Sequence, residues 1–143
     1  MGYDIAMQLD IAAEPAVLDA ALTTTEGTAG WWTPRSQTTA VVGETARYEF
    51  PGTPVVWDMK VTEAVPGRSL AWHCTGGPPP WIGTQVRWTL SPGAAGGTLL
   101  VLEHDGFAAK DEVFRRVTMI WAEMLLRLKD YAEAGTVAPY FAF

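Results

Sequence analysis

Apolar and polar positions alternate from the start of the chain. Tyr3, Ile5, Met7, Leu9 and Ile11 are separated by Asp4, Ala6, Gln8 and Asp10, the period-two pattern of a strand with one buried face. Pro15 suits the first turn of a helix, which the sequence carries to about Leu22. The Thr- and Gly-rich stretch from Thr23 to Gly30 predicts a second, short and irregular helical segment that delivers Trp31 and Trp32. Alternation then returns. Thr38–Val42 and Thr45–Phe50 flank Gly43-Glu44 as an expected hairpin, and further strands are expected over 55–62, 68–74, 82–90 and 98–104. Gly76-Gly77-Pro78-Pro79-Pro80 must be a loop, because proline cannot donate to a ladder.

The period changes in the last third of the chain. From Ala108 to Ala134 the sequence reads as one long amphipathic helix. At about 100° per residue, Phe114, Val117, Trp121, Leu125 and Leu128 fall on one stripe, flanked by Val113, Ile120, Met124 and Tyr131. Arg115, Arg116, Glu123, Arg127 and Asp130 lie mostly away from it. Glu112 with Arg116, and Glu123 with Arg127, have the favourable acid-first spacing for ion pairs. So long a helix with one large apolar face needs an extended surface, and the strands supply it. The expected class is α+β: a single domain over residues 1–143 in which an antiparallel sheet folds around one helix.

Composition narrows the partners. With 10 Lys and Arg against 16 Asp and Glu the net charge is −6, and no basic stripe exists to meet a phosphate backbone, so nucleic acid is not expected. Cys74 is the single cysteine, which fits a reducing cytoplasm and excludes an internal disulfide. No apolar run approaches the ~20 residues of a membrane span. The first residues lack the basic and apolar regions of a signal peptide.

The motifs resemble those of the activator of 90-kDa heat-shock protein ATPase homologue-like family, within the START-like (SRPBCC) superfamily. The resemblance runs nearly end to end. It takes in Ile11-Ala12-Ala13-Glu14-Pro15-Ala16-Val17, Ala20-Ala21-Leu22-Thr23 with Gly27, and Gly30-Trp31-Trp32. It continues through Met59-Lys60-Val61-Thr62-Glu63, Pro66-Gly67, Leu70-Ala71-Trp72 and Gly83-Thr84. Gly97-Thr98, Leu100 to Phe107, Trp121 to Leu125, Leu128 to Tyr131 and Gly135 complete it. The resemblance implies the helix-grip fold: a curved seven-stranded sheet around the C-terminal helix, with two short helices after the first strand and a cavity between sheet and helix.

Candidate chemistry centres on that cavity. Trp57, Trp72 and Trp88 occupy inward strand positions and Trp121 lies on the inward stripe of the helix, so the four indoles are expected to line it together with His104. The full expected ligand-binding set is Trp57, Met59, Trp72, Cys74, Trp88, His104, Val117, Trp121 and Met124, facing an apolar or aromatic small molecule. His104 is the best titratable candidate; as a general base it would need an orienting partner, and the plainer reading is a histidine bonded to backbone at a strand end. His73, Cys74 and His104 lack metal-site spacing, and neither a metal nor a cofactor is expected. Gly76 to Trp81 reads either as a cover over the cavity mouth or as a strand connection anchored by Trp81. Met119 and Leu126, opposite the core stripe, are expected to join the aromatic tail Thr136–Phe143 in a homodimer contact.

The leading expectation is a ligand-binding module without catalysis. An enzyme of cyclase, dehydratase or hydrolase type working from His104 comes second. A chaperone-regulating interaction module comes third, because the eukaryotic relatives carry an additional N-terminal domain whereas this sequence starts at its first strand.

Overall fold

The computed structural model describes residues 2–143. Strand β1 (Tyr3–Ile11) is followed by helices α1 (Pro15–Thr23) and α2 (Thr25–Trp31), and then by β2 (Arg35–Gln37) and β3 (Thr45–Glu49). The run continues with β4 (Val56–Val65), β5 (Ser69–Gly76), β6 (Gln85–Pro92) and β7 (Thr98–Phe107), and ends in α3 (Glu112–Ala134). The strands form one antiparallel sheet in the order β1-β7-β6-β5-β4-β3-β2. The first strand of the sequence therefore closes against the last. The helices pack on the inward face of this sheet, and the fold is α+β with a long C-terminal helix lying on a seven-stranded sheet.

Inward phase explains the core. Along β3, Ala46 and Tyr48 are buried and Thr45, Arg47 and Glu49 are exposed. Along β6, Val86, Trp88 and Leu90 are buried and Gln85 and Arg87 are exposed. On α3 the expected stripe of Phe114, Val117, Trp121, Leu125 and Leu128 is buried, with Met124 beside it. Asp111 starts α3 by accepting the Phe114 N–H at 3.1 Å, and Gly135 ends it at φ 70°, in the left-handed region glycine tolerates.

Several boundaries move. The Thr38–Val42 strand does not form; β2 lies at Arg35–Gln37 instead and pairs with β3. Thr25 takes Thr38 into a side-chain hydrogen bond, and Gly43 N–H donates to the Val61 carbonyl, so residues 38–44 are drawn across to β4. Ile82 to Thr84 leave β6 because Gly83 sits at φ +89° in a turn closed by Thr84 N–H onto the Trp81 carbonyl. The Asp111 cap starts α3 four residues later than the expected Ala108. Glu112 and Arg116 pair at 2.6 Å, whereas Glu123 and Arg127 both turn to the C-terminal tail. Helix α2 is a regular seven-residue helix capped by Thr24.

Two glycines set how closely the helices approach. A Cβ on Gly30 would lie 2.2 Å from the Tyr131 ring, and one on Gly27 would lie 2.4 Å from the Ala20 carbonyl oxygen. The close seat of α2 against α1 and α3 fixes where Trp31 and Trp32 enter the core. Trp31 is further tied by its indole N–H, which donates to the Ala21 carbonyl at 2.9 Å.

Candidate functional site

Aromatic rings fill the space between sheet and helix. Trp32, at the end of α2, stacks on Tyr48 of β3 at 4.4 Å and contacts Trp121 of α3 at 5.6 Å. Trp88 packs edge-on against Trp121 at 5.6 Å and against Trp72 at 6.0 Å. Trp31, Trp32, Trp72, Trp88 and Trp121 are all fully buried. Ring centroids 4.5 to 7 Å apart are the ordinary spacing of a packed aromatic core.

The cavity is displaced from where inward phase alone would put it. It holds about 230 Å³ and opens at one end of the sheet, beside α3. Trp57, Val117, Trp121 and Met124 of the expected set line it. Met59, Trp72, Cys74, Trp88 and His104 do not. Trp72, Trp88 and His104 are interlocked with neighbouring rings, and Cys74 is buried with its thiol donating to the Gly76 carbonyl at 3.3 Å. Burial pushes that thiol up to about 11, so it is protonated at neutral pH. Met59 lies at zero exposure, opposite Cys74 in the β4–β5 ladder.

Residues from outside the expected set complete the walls: Trp32, Phe50, Trp81, Ile120 and Phe141. Phe50 continues the alternation of Ala46 and Tyr48, a signal present in the sequence. Trp81 both anchors its loop and forms a wall, since it contacts Trp57 and Trp121 at 6.1 and 6.3 Å. Phe141 arrives with the C-terminal tail. Ala138, Tyr140 and Phe141 donate backbone N–H groups to the carbonyls of Gly30, Trp31 and Trp32 at 2.9–3.0 Å. Arg127 donates to the Ala138 carbonyl, and Tyr140 donates its hydroxyl hydrogen to Glu123 at 3.1 Å. The tail thus docks on its own domain, against α3 at Glu123 and Arg127 and against the end of α2. Thr53 adds a hydroxyl to a lining that is otherwise apolar and aromatic.

His104 lies behind this pocket with both ring nitrogens in use. The Trp121 indole N–H donates to Nδ1 at 3.0 Å, and Nε2 lies 2.9 Å from Thr84 Oγ1. The Thr84 hydroxyl donates its own hydrogen to the Trp81 carbonyl at 2.6 Å, so Nε2 carries the ring proton and donates to Thr84. The chain of bonds is complete only with neutral imidazole, because an indole N–H can only donate. Burial agrees, pushing His104 down to about 3. The partners are side chains of α3 and the β5–β6 connection, not the backbone contact that the strand end suggested. Nδ1, the basic nitrogen, is already an acceptor for Trp121, which leaves no free lone pair for a substrate proton.

Six buried side-chain polar atoms have no hydrogen-bond partner among the described residues, and three of them face this aromatic core: the Tyr48 hydroxyl and the indole nitrogens of Trp72 and Trp88. Burial pushes the Tyr48 phenol upward, keeping it neutral. No group of three or more His, Cys, Asp or Glu among the described residues is placed to hold a metal ion. Among the same residues, no helix is long and apolar enough to cross a membrane.

The model of the family described as Activator of Hsp90 ATPase homolog 1-like protein matches residues 12–133. No curated protein matches the chain. Among solved structures, the Aha1 dimer from Colwellia psychrerythraea is 30% identical, with a TM-score of 0.84 over 93% of this chain and 98% of that one. A protein from Staphylococcus saprophyticus shares the fold at 17% identity, with a TM-score of 0.80 over 98% of each chain. Another from Mesorhizobium loti does so at 22% identity, with a TM-score of 0.78 over 90% of this chain and 95% of that one.

Proposed function

We propose that this chain, which belongs to the Activator of Hsp90 ATPase homolog 1-like family, is a binding module for a compact apolar or aromatic small molecule. The observation that carries the reading is the pocket of about 230 Å³ walled by Trp32, Phe50, Trp57, Trp81, Trp121 and Phe141. At interior packing density such a space takes on the order of ten non-hydrogen atoms, the size of a fused bicyclic ring. Flat indole and phenyl walls favour a flat ligand through stacked and edge-on contacts. The scarcity of polar groups on the walls selects against anionic ligands, whose desolvation nothing in the pocket would offset. A lone buried thiol at Cys74 suits a cytoplasmic setting.

The enzymatic alternative relied on His104, and the bonds to Trp121 and Thr84 take up the nitrogen that would act. The binding reading is tested by calorimetric titration with indole as the probe. Saturable binding to one site with a negative heat-capacity change supports it; heats no different from dilution would remove it.

A second reading concerns assembly. The relative from Colwellia psychrerythraea is described as a dimer, and here Met119 and Leu126 stand 63% and 59% exposed on α3. We read this chain as pairing with a second copy of itself.

A further inference from the structure

We propose that the free edge of β1 is the surface through which two copies pair, strand against strand, about a two-fold axis at Ala6; the proposal rests on the two-copy reading above. Among the described residues, strand β1 ends the sheet, with β7 on one side and no strand on the other. The opposite edge strand, β2, has three residues, whereas β1 has nine. An edge of that length presents a row of N–H and C=O groups ready to pair with another strand.

Among the described residues, side chains of α3 hydrogen-bond the C-terminal end of this edge. The Lys129 ammonium donates to the Asp10 carbonyl at 2.9 Å, and the Ala12 N–H donates to the Glu133 carboxylate at 2.8 Å. Backbone groups of alternate residues point the same way along a strand. Ala6 and Gln8 therefore present theirs to the same side as Asp10, where neither cap covers them.

The exposed Met119 and Leu126 of α3 face away from the sheet, between the flank that meets β1 and the flank that carries the tail. Lys129 and Glu133 mark the first flank through their bonds to β1. On the helical wheel Met119 lies about 40° from both Glu133 and Glu123, and Leu126 about 20° from Glu133 and about 60° from Glu123. The docked tail occupies the other flank, at Glu123 and Arg127.

The strip is complementary to itself, which identifies the occupant as a second copy. In antiparallel pairing about Ala6, Asp4 faces Gln8 of the second copy, and Tyr3 faces Leu9. Pairing about Asp4 would set two carboxylates opposite each other, in a chain already at −6. Pairing about Gln8 would run into the end already capped by Lys129 and Glu133. Helix α3 runs in the same direction as β1, since Tyr3 contacts the Phe114 ring near one end and Asp10 meets Lys129 near the other. A two-fold axis at Ala6 therefore sets the two α3 helices antiparallel.

The test combines light scattering across a concentration series with cross-linking. Wild-type mass should rise toward that of two chains. Ala6→Lys sets two like charges face to face on the axis and should raise the midpoint concentration about tenfold or more. Its melting temperature should stay near that of the wild type, because the Ala6 side chain is exposed. Cys74 is buried, so an Ala6→Cys variant carries one accessible thiol and should be joined into dimers by a short bismaleimide. A Val42→Cys control, exposed in the loop before β3, should not. A wild-type mass fixed at one chain removes the two-copy reading, and the proposal with it. A dimer that Ala6→Lys leaves unmoved and Ala6→Cys fails to cross-link keeps the pairing and overturns the β1 edge.

Discussion

The Trp121 indole N–H donates to Nδ1 of His104 at 3.0 Å, joining the middle of the long helix to the strand that pairs with β1. The bond fixes the histidine as a neutral acceptor, and the same indole forms part of the pocket wall. Fold stability and pocket shape therefore share one residue pair.

That pair predicts a pH dependence. His104 is depressed to about 3 in the fold, against about 6.5 in an unfolded chain. Between these values the unfolded state binds a proton that the folded state does not, so unfolding free energy falls as pH falls. The contribution is fully present above pH ~6.5 and is lost at ~1.4 kcal/mol per unit on the way toward pH 3. Chemical denaturation at pH 7 and pH 5 should show this slope in the wild type. His104→Gln should reduce it, while a slope unchanged by the substitution would contradict the assignment.

Tyr48→Phe should leave stability unchanged or raise it by up to ~1 kcal/mol, because the lost hydroxyl is buried without a partner and the ring stack on Trp32 is retained. Urea denaturation of the two proteins checks this. A loss above ~1 kcal/mol would show that the hydroxyl is hydrogen-bonded in solution.

Gly30→Ala should destabilise by ~2 kcal/mol or more, since its Cβ would fall 2.2 Å from the Tyr131 ring, which is packed against the core and would have to move. The same shift would displace Trp32, so indole affinity should fall as well. A melting temperature and an affinity both at wild-type values would refute the close approach of α2 and α3.

Ile120→Phe adds bulk at a half-buried position on the pocket wall. Indole affinity should drop about tenfold or more, the equivalent of ~1.4 kcal/mol, with little change in melting temperature. Calorimetry and thermal unfolding measure the two effects separately, and undiminished binding would move the ligand elsewhere.

The fold was legible because it is written in two periods. Alternation marks β3 and β6 residue by residue, and the Phe114–Leu128 stripe marks the buried face of α3. The site was less so. Inward phase places Trp57, Trp72 and Trp88 on one face but does not say which of them other rings will cover. Trp32 takes the space over Trp72, and it does so because Gly27 and Gly30 bring α2 in close. Thr84 as the partner of His104, and Phe141 as a pocket wall, depend on a turn and a tail docked far from their contacts in sequence. Periodicity carries no information about such contacts.

The most direct test of the pocket follows the seven tryptophan indole N–H signals by nuclear magnetic resonance as indole is added. A ligand seated in the pocket should give saturable shifts, largest for Trp32, Trp57, Trp81 and Trp121, with Trp31, Trp72 and Trp88 moving little. Shifts that never saturate, or that centre on Trp72 and Trp88, would contradict it.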